Sequence, residues 1–321
     1  MKKKLALILT GLFLLSLCTG VFNISIFKII LHRASTAESA IFWQLRLPRT
    51  ILAMVVGMVL GLSGAAMQGL LRNPLADSGL LGISGGAVLG AMLALYSGVT
   101  ALGAWLLPAG GFLGALLAAM LILIFCVRRT GLLGLILAGT ALNTFFFAVG
   151  SLLLNFSKNP YAVLEMMYWQ LGSFENRTLE QVLAALPFML IGCLLLLKTS
   201  SAVRLLTLGE DVARASGVSM RKTLNLIILG TAFSVGAAVS ICGSIGFVGL
   251  LIPHLMRPFV KHDPGALLPV SALAGGIFLL FADLVCRLWT SGVELKIGVL
   301  TALLGAPFFV YLAFRAKSQI L

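Results

Sequence analysis

The stretch GMVLGLSGAAMQG, residues 57–69, repeats glycine at 57, 61, 64 and 69 with Ser63, Ala65 and Ala66 between them, inside an apolar run that begins near residue 49. Small residues at this spacing share one helix face and let a neighbouring backbone come close. In lipid, such packing rather than hydrophobicity holds helices together. A second stretch, SVGAAVSICGSIG at 234–246, is built alike, and each is followed by Gly-Leu-Leu and a proline, Pro74 and Pro253. The likeness leaves an inverted repeat of the transporter kind open. With 35 glycines in the chain, the reading is a tightly packed helical bundle.

Composition says where that bundle sits. Of 321 residues, 60% are hydrophobic and only 10% charged, and the mean hydropathy is +1.09. Soluble chains run near half apolar and about a quarter charged, so lipid must be the main solvent. A span needs about 20 apolar residues. That measure predicts ten, near 5–27, 49–70, 80–98, 104–126, 131–156, 180–198, 224–243, 245–260, 268–289 and 296–314, the eighth being short. The expected fold is an all-α polytopic membrane protein, one transmembrane domain over 1–321. Placing the N-terminus inside puts 15 Lys and Arg on the inner loops and eight on the outer ones, which favours N-in and C-in. The net charge of +13 then reflects anionic lipid, and no basic stripe interleaved with aromatics suggests nucleic acid. The start, MKKKLALILTGLFLLSLCTG, reads as a retained first span, with a signal peptide as the alternative. Cys18, Cys126, Cys193, Cys242 and Cys286 stand singly, without a C-x-x-C, which suggests apolar fillers rather than a disulfide framework or a zinc site.

Catalytic patterns are missing. No G-x-x-x-x-G-K-[ST] is present, no H-E-x-x-H, and GLSG (61–64) and GISGG (82–86) lack the spacing of a nucleophile elbow. Ion coupling would call for charges at mid-membrane, where they are costly. The spans offer Asp283 and Arg287, four apart and able to pair on one helix face, and the uncharged Gln68 and Asn143. Those two serve cargo contact or interhelical hydrogen bonding equally well. The scarcity of membrane carboxylates implies that driving energy enters elsewhere.

A polar island is the natural place for that entry. RLLTLGEDVARASGVSMRK, residues 204–222, crowds Arg204, Glu210, Asp211, Arg214, Arg221 and Lys222 between apolar segments. Its centre predicts a short helix between glycines, with acids at the start and a base later, as the helix dipole favours. Composition leaves two readings even: a solvated connector, or a docking surface for a soluble partner.

Several stretches in order sharpen this. QLRLPRTILAMVVG (44–57), SGAAMQGLLRNPLADSGLLGISGGA (63–87), LGEDVARASGV (208–218), GSIGFVGLLIPHLMR (243–257), LLPVSALAGG (267–276) and VELKIGVLTALLGAPFF (293–309) together resemble the membrane permease of ATP-binding-cassette importers for ferric siderophores, haem and cobalamin, over about residues 40–315. The resemblance implies ten helices per permease and a second permease subunit, identical or homologous. It also implies two cytoplasmic ATPase subunits that hold ATP and Mg, an extracytoplasmic binding protein, and no cofactor in this chain. Gly209, Glu210, Asp211, Ala213, Arg214 and Gly217 would form the ATPase-coupling loop; Glu210, Ala213 and Gly217 match the Glu-Ala-Ala-x-x-x-Gly pattern, whose second position is Asp211 here. Arg46 and Arg49 of RLPR, with Arg287 after ADLVC, would dock glutamates of the binding protein, although arginines at a membrane edge also serve as headgroup anchors. The pathway would be lined by the fifth span and by YAVLEMMYWQLGSF (161–174), with Met166, Met167, Tyr168 and Trp169 as a soft wall or, alternatively, an interfacial aromatic belt. Where the family carries proline, Ser78, Ser291 and Lys296 stand here.

The expected function is therefore a non-enzymatic permease carrying an iron complex or related chelate across a bacterial cytoplasmic membrane. An ion-coupled secondary transporter using Asp283 or Glu294 is the rival.

Overall fold

The computed structural model describes residues 1–20, 29, 35–125, 132–289 and 295–317. Among them every regular element is helical. In chain order these are α1 (Lys2–Cys18), α2 (Thr36–Leu71), α3 (Ile83–Tyr96), α4 (Leu106–Phe125), α5 (Leu132–Phe156), α6 (Pro160–Leu171), α7 (Leu179–Leu197), α8 (Ser200–Leu206), α9 (Glu210–Ala215), α10 (Met220–Cys242), α11 (Val248–Met256), α12 (Pro264–Leu288) and α13 (Ile297–Lys317).

The ends obey local rules. Ser35 and Glu38 close a capping box at the start of α2, and Thr178 with Gln181 does the same for α7. Asp263 caps α12 by accepting from the Gly265 and Ala266 amides, with Pro264 in the first turn, where its missing N–H is harmless. Within α2 a π-helical turn, Ile41–Arg46, precedes Pro48, a residue that cannot donate to the helical ladder.

Six of these helices are long and apolar enough to cross a bilayer: α2, α4, α5, α7, α10 and α12. The remaining expected spans correspond in order to α1, α3, α11 and α13. Of these, α3 has 14 residues and α11 only nine, so α11 is about 14 Å long and too short to span alone. The first span ends its described helix at Cys18, and residues 21–28 and 30–34 of that region lie outside the described ones. The second begins earlier than expected, because the Ser35 cap starts it thirteen residues before the apolar run does.

The glycine stripe that opened the reading faces α12 and α11. A side chain at Gly57 would overlap the Gly275 carbonyl, one at Gly61 the Ser271 carbonyl, and one at Gly64 the Gly249 backbone. These backbones therefore touch, and α2 and α12 run antiparallel along that seam. The helices divide into two groups. In α2, α10 and α12, 78%, 72% and 67% of the apolar window is buried inside the protein; in α4, α5 and α7 the shares are 28%, 22% and 28%. Three inner helices form the core, and three outer ones turn most of their surface away from it.

Candidate functional site

The island folds as expected at its centre. Glu210 and Asp211 open α9, Arg214 closes it, and Glu210 pairs with Arg214 one turn on at 3.4 Å. Gly209 and Gly217 bracket the helix at φ 106° and 85°, a backbone region that only glycine enters at little cost. Asp211 and Arg214 are exposed, while Ala213 is buried.

What the sequence could not show is how firmly the island is seated. The Val203 side chain of α8 packs against Gly69 of α2. Arg204 grips Asp263 with two nitrogens, Nε to Oδ1 at 2.9 Å and Nη2 to Oδ2 at 2.7 Å, and the Ser200 hydroxyl donates to the Gly265 carbonyl at 3.0 Å. Burial raises the Asp263 carboxyl. The Arg204 guanidinium and the Ala266 and Gly265 amides outweigh it and hold the group below its ordinary value. Arg72, at the end of α2, reaches Glu210 at 3.8 Å. The polar island thus rests, through α8 and Arg72, on the ends of two inner helices.

The opposite end carries the three arginines expected to dock a partner. The structure turns them inward. Arg46 is 5% exposed and donates to the Leu17 and Cys18 carbonyls at 3.0 and 2.9 Å. Arg49 Nη2 and Arg287 Nη2 hold the two oxygens of Asp283 at 2.8 and 2.5 Å, and Asp283 is 1% exposed. Arg287 also donates to the Ser16 carbonyl and the Thr50 hydroxyl. The expected Asp283–Arg287 pair is present, joined by Arg49 as a second cation. These groups tie α1, α2 and α12 together where side chains leave the apolar core. Glu294 lies outside the described residues.

The four residues expected as a soft wall divide between two faces. Met166, Met167, Tyr168 and Trp169 share the short helix α6, so helical periodicity divides them. Met166 and Trp169 are buried at 0% and 2% exposure, whereas Met167 and Tyr168 are 51% and 47% exposed. Gln68 belongs to the island end: it accepts from Arg257 Nη2 at 2.7 Å and donates to the Leu250 carbonyl at 3.3 Å. Asn143 does face a cavity, of about 280 Å³, together with Ser84, Gln170 and Ser244. Gln170 and Ser244 also border a second groove of about 570 Å³ walled by Phe247 and by Gly298, Val299 and Ala302 of α13. Gln170, Ser244 and Ser84 were not singled out from sequence. Their only signal there is a lone polar group beside glycine or in an apolar run.

The departures at proline positions have physical counterparts. The Ser78 amide donates to Asp77 at 2.6 Å, a bond that proline could not make. Lys296 bonds Glu175 at 2.6 Å and lies 5.0 Å from the centre of the Tyr168 ring, tying the start of α13 to the segment after α6. Next to it Arg177 stacks 4.6 Å over the buried Trp169 ring. Ser291 lies outside the described residues.

Residues 7–315 match the model of the FecCD transport family. The chain belongs to that family. Vitamin B12 import system permease proteins BtuC are FecCD-like relatives. The one from Citrobacter koseri is 40% identical over 278 residues, 86% of this chain and 83% of the relative, and the one from Klebsiella pneumoniae is 40% identical over 288 residues. A solved structure described as an inward-facing conformation of a metal-chelate type ABC transporter shares 34% of residues, covers 98% of each chain and superposes with a TM-score of 0.87. PsaBC from Streptococcus pneumoniae, in complex with Fab, shares the fold at 19% identity and a TM-score of 0.55. As a FecCD member with six helices that can cross a bilayer, the chain is a multi-pass membrane protein and a transport permease of the metal-chelate and B12 kind.

Proposed function

We propose that this FecCD permease imports a large metal chelate across the bacterial cytoplasmic membrane, powered by a separate ATPase. The observation that carries the reading is α9. It is a compact polar helix braced on α2 and α12, in a chain that has no phosphate-binding loop of its own. In this reading the chain is one permease domain with ten membrane elements, N-in and C-in, and the island faces the cytoplasm. Two permease subunits, two ATPases that hold ATP and Mg, and an extracytoplasmic binding protein complete the importer. The permease itself carries no cofactor and catalyses no reaction. Gly209, Glu210, Asp211, Ala213, Arg214 and Gly217 receive ATPase motion, and the seat beneath them transmits it as a rigid body. Asn143, Gln170 and Ser244 border the cargo path. The binding protein docks at the end where Arg46, Arg49 and Arg287 gather. Since all three have partners inside the protein, they shape that surface from beneath; the partial exposure of Arg49, 17% of its side chain, supports a further contact with a partner carboxylate there.

The cargo class spans ferric siderophores, haem and cobalamin. The 40% identity to B12 permeases supports a corrinoid, and the structural likeness to a metal-chelate transporter supports the wider class. The test is co-purification with an ATP-binding-cassette ATPase from the same organism, followed by ATPase assay with and without the binding protein. Stimulation that falls on Glu210→Ala or Gly217→Val is expected. Failure to associate, or activity indifferent to both changes, would sink the reading.

A further inference from the structure

Beside the island, a cavity of about 200 Å³ opens between the end of α2, the segment leading into α9, and the turn from α11 to α12. Its polar walls are Arg72, Arg257, His262, Thr207 and Gln68. Among the described residues that line it there is no carboxylate. Two acids of the adjoining segments are engaged: Asp263 with Arg204 at 2.7 Å, and Glu210 with Arg214 at 3.4 Å and more loosely with Arg72 at 3.8 Å. Arg257 gives one hydrogen bond to Gln68 at 2.7 Å, which fixes its guanidinium at the cavity wall. Two planar guanidiniums and an imidazole therefore line one small space with positive charge in excess, beside a Thr207 hydroxyl that donates to the Arg204 carbonyl at 2.7 Å.

The backbone is bent to put them there. Arg72, Lys261 and His262 have φ values of 49°, 52° and 60°, conformations that non-glycine residues rarely adopt and that persist where the surroundings demand them. Among the described residues, three of the five non-glycine residues with positive φ fall in the two turns that frame this cavity. The volume is below that of ordinary organic-ligand pockets and suits a tetrahedral oxyanion, which guanidinium pairs hold through bidentate bonds.

We propose that this cavity binds a phosphate group, supplied either by free phosphate or by the headgroup of an anionic phospholipid, basic clefts between membrane helices being known receptors for such headgroups. The bound anion bridges α2, α11 and the approach to α9, so its occupancy stiffens the seat of the island. The site stands whether or not α9 meets an ATPase, because it is assayed on the permease alone.

The test uses the full chain purified in neutral detergent free of phosphate. Inorganic phosphate is titrated against the thermal midpoint, and retention of phosphatidylglycerol against phosphatidylcholine is read by native mass spectrometry. A rise in midpoint with inorganic phosphate identifies the free ion; selective retention of phosphatidylglycerol identifies the lipid. Either supports the site provided that Arg72→Gln weakens it on the order of tenfold, the scale of a lost charged hydrogen bond. Arg257→Gln should do the same. Since it also removes the Gln68 bond and can unsettle the fold, the exposed Arg72 decides if that variant is not recovered. No selective binding of either probe, or binding unchanged in folded Arg72→Gln protein, overturns the proposal.

Discussion

The inner helices α2, α10 and α12 and the outer helices α4, α5 and α7 are about equally apolar, yet they use their surfaces in opposite ways. The inner set meets through glycine and serine, backbone against backbone, as at Gly57 with Gly275 and at Gly61 with Ser271. The outer set presents large side chains such as Leu137, Phe147 and Leu152 away from the core. Hydropathy cannot separate the two, because lipid accepts leucine as readily as a protein core does. Close contact separates them, since only small residues permit it. Polar groups follow the same division: the Asp283 cluster and the seat of the island both lie at ends of the inner helices.

The comparison breaks most visibly if Asp283 is neutralised. Asp283→Asn leaves Arg49 and Arg287 without their shared counter-charge in a buried place, and a loss of about 3–5 kcal/mol is expected. It would be read as a lowered unfolding midpoint in detergent; an unchanged midpoint would deny the inner ends their anchoring role. Next comes the seam itself. Gly57→Val should cost about 1–3 kcal/mol by overpacking, whereas Leu152→Ala on α5, at 53% exposure, should change stability within about 0.5 kcal/mol. Equal effects would erase the distinction between inner and outer helices.

Smaller effects sharpen the picture at the periphery. A double-mutant cycle on Lys296→Ala and Glu175→Ala should give a coupling of about 0.2–1 kcal/mol, as for partly exposed pairs, well below that of the Asp283 cluster. The smallest expected effect is a pH dependence at the seat of the island. The folded Asp263 carboxyl lies below its ordinary value, so its contribution is present at neutral pH. That contribution disappears as pH falls from the ordinary carboxylate range through the folded value. Asp263→Asn should flatten the acid limb of a midpoint-against-pH curve, and an identical curve would mean that the Arg204 pair does not hold the seat.

Much of this was legible beforehand where the signal is local. The helix at Glu210–Ala215 announced itself through two glycines, early acids and a late base. The Asp283–Arg287 pair follows from a spacing of four. Other features were hidden because they depend on distant chain. Nothing near Gln68 reveals that its partner is Arg257, 189 residues away. Nothing in MMYW says which two of the four residues turn inward until α6 is placed. The docking role of Arg46, Arg49 and Arg287 is what the family resemblance implies, and the bonds they make inside the protein depend on distant chain: Leu17 and Cys18 for Arg46, Asp283 for Arg49, and Ser16 and Thr50 for Arg287 beside its own Asp283.

The sequence by itself determined that the chain lives in lipid, that its helices meet through small residues, and that a polar island at 204–222 interrupts its apolar spans. Hydropathy, glycine spacing and capping are properties of neighbours along the chain, so they can be read along it. Only the tertiary structure decided which helices are inside, which cations are spent internally, and that the island rests on the core, because a close approach or an ion pair exists only once two distant segments share one place.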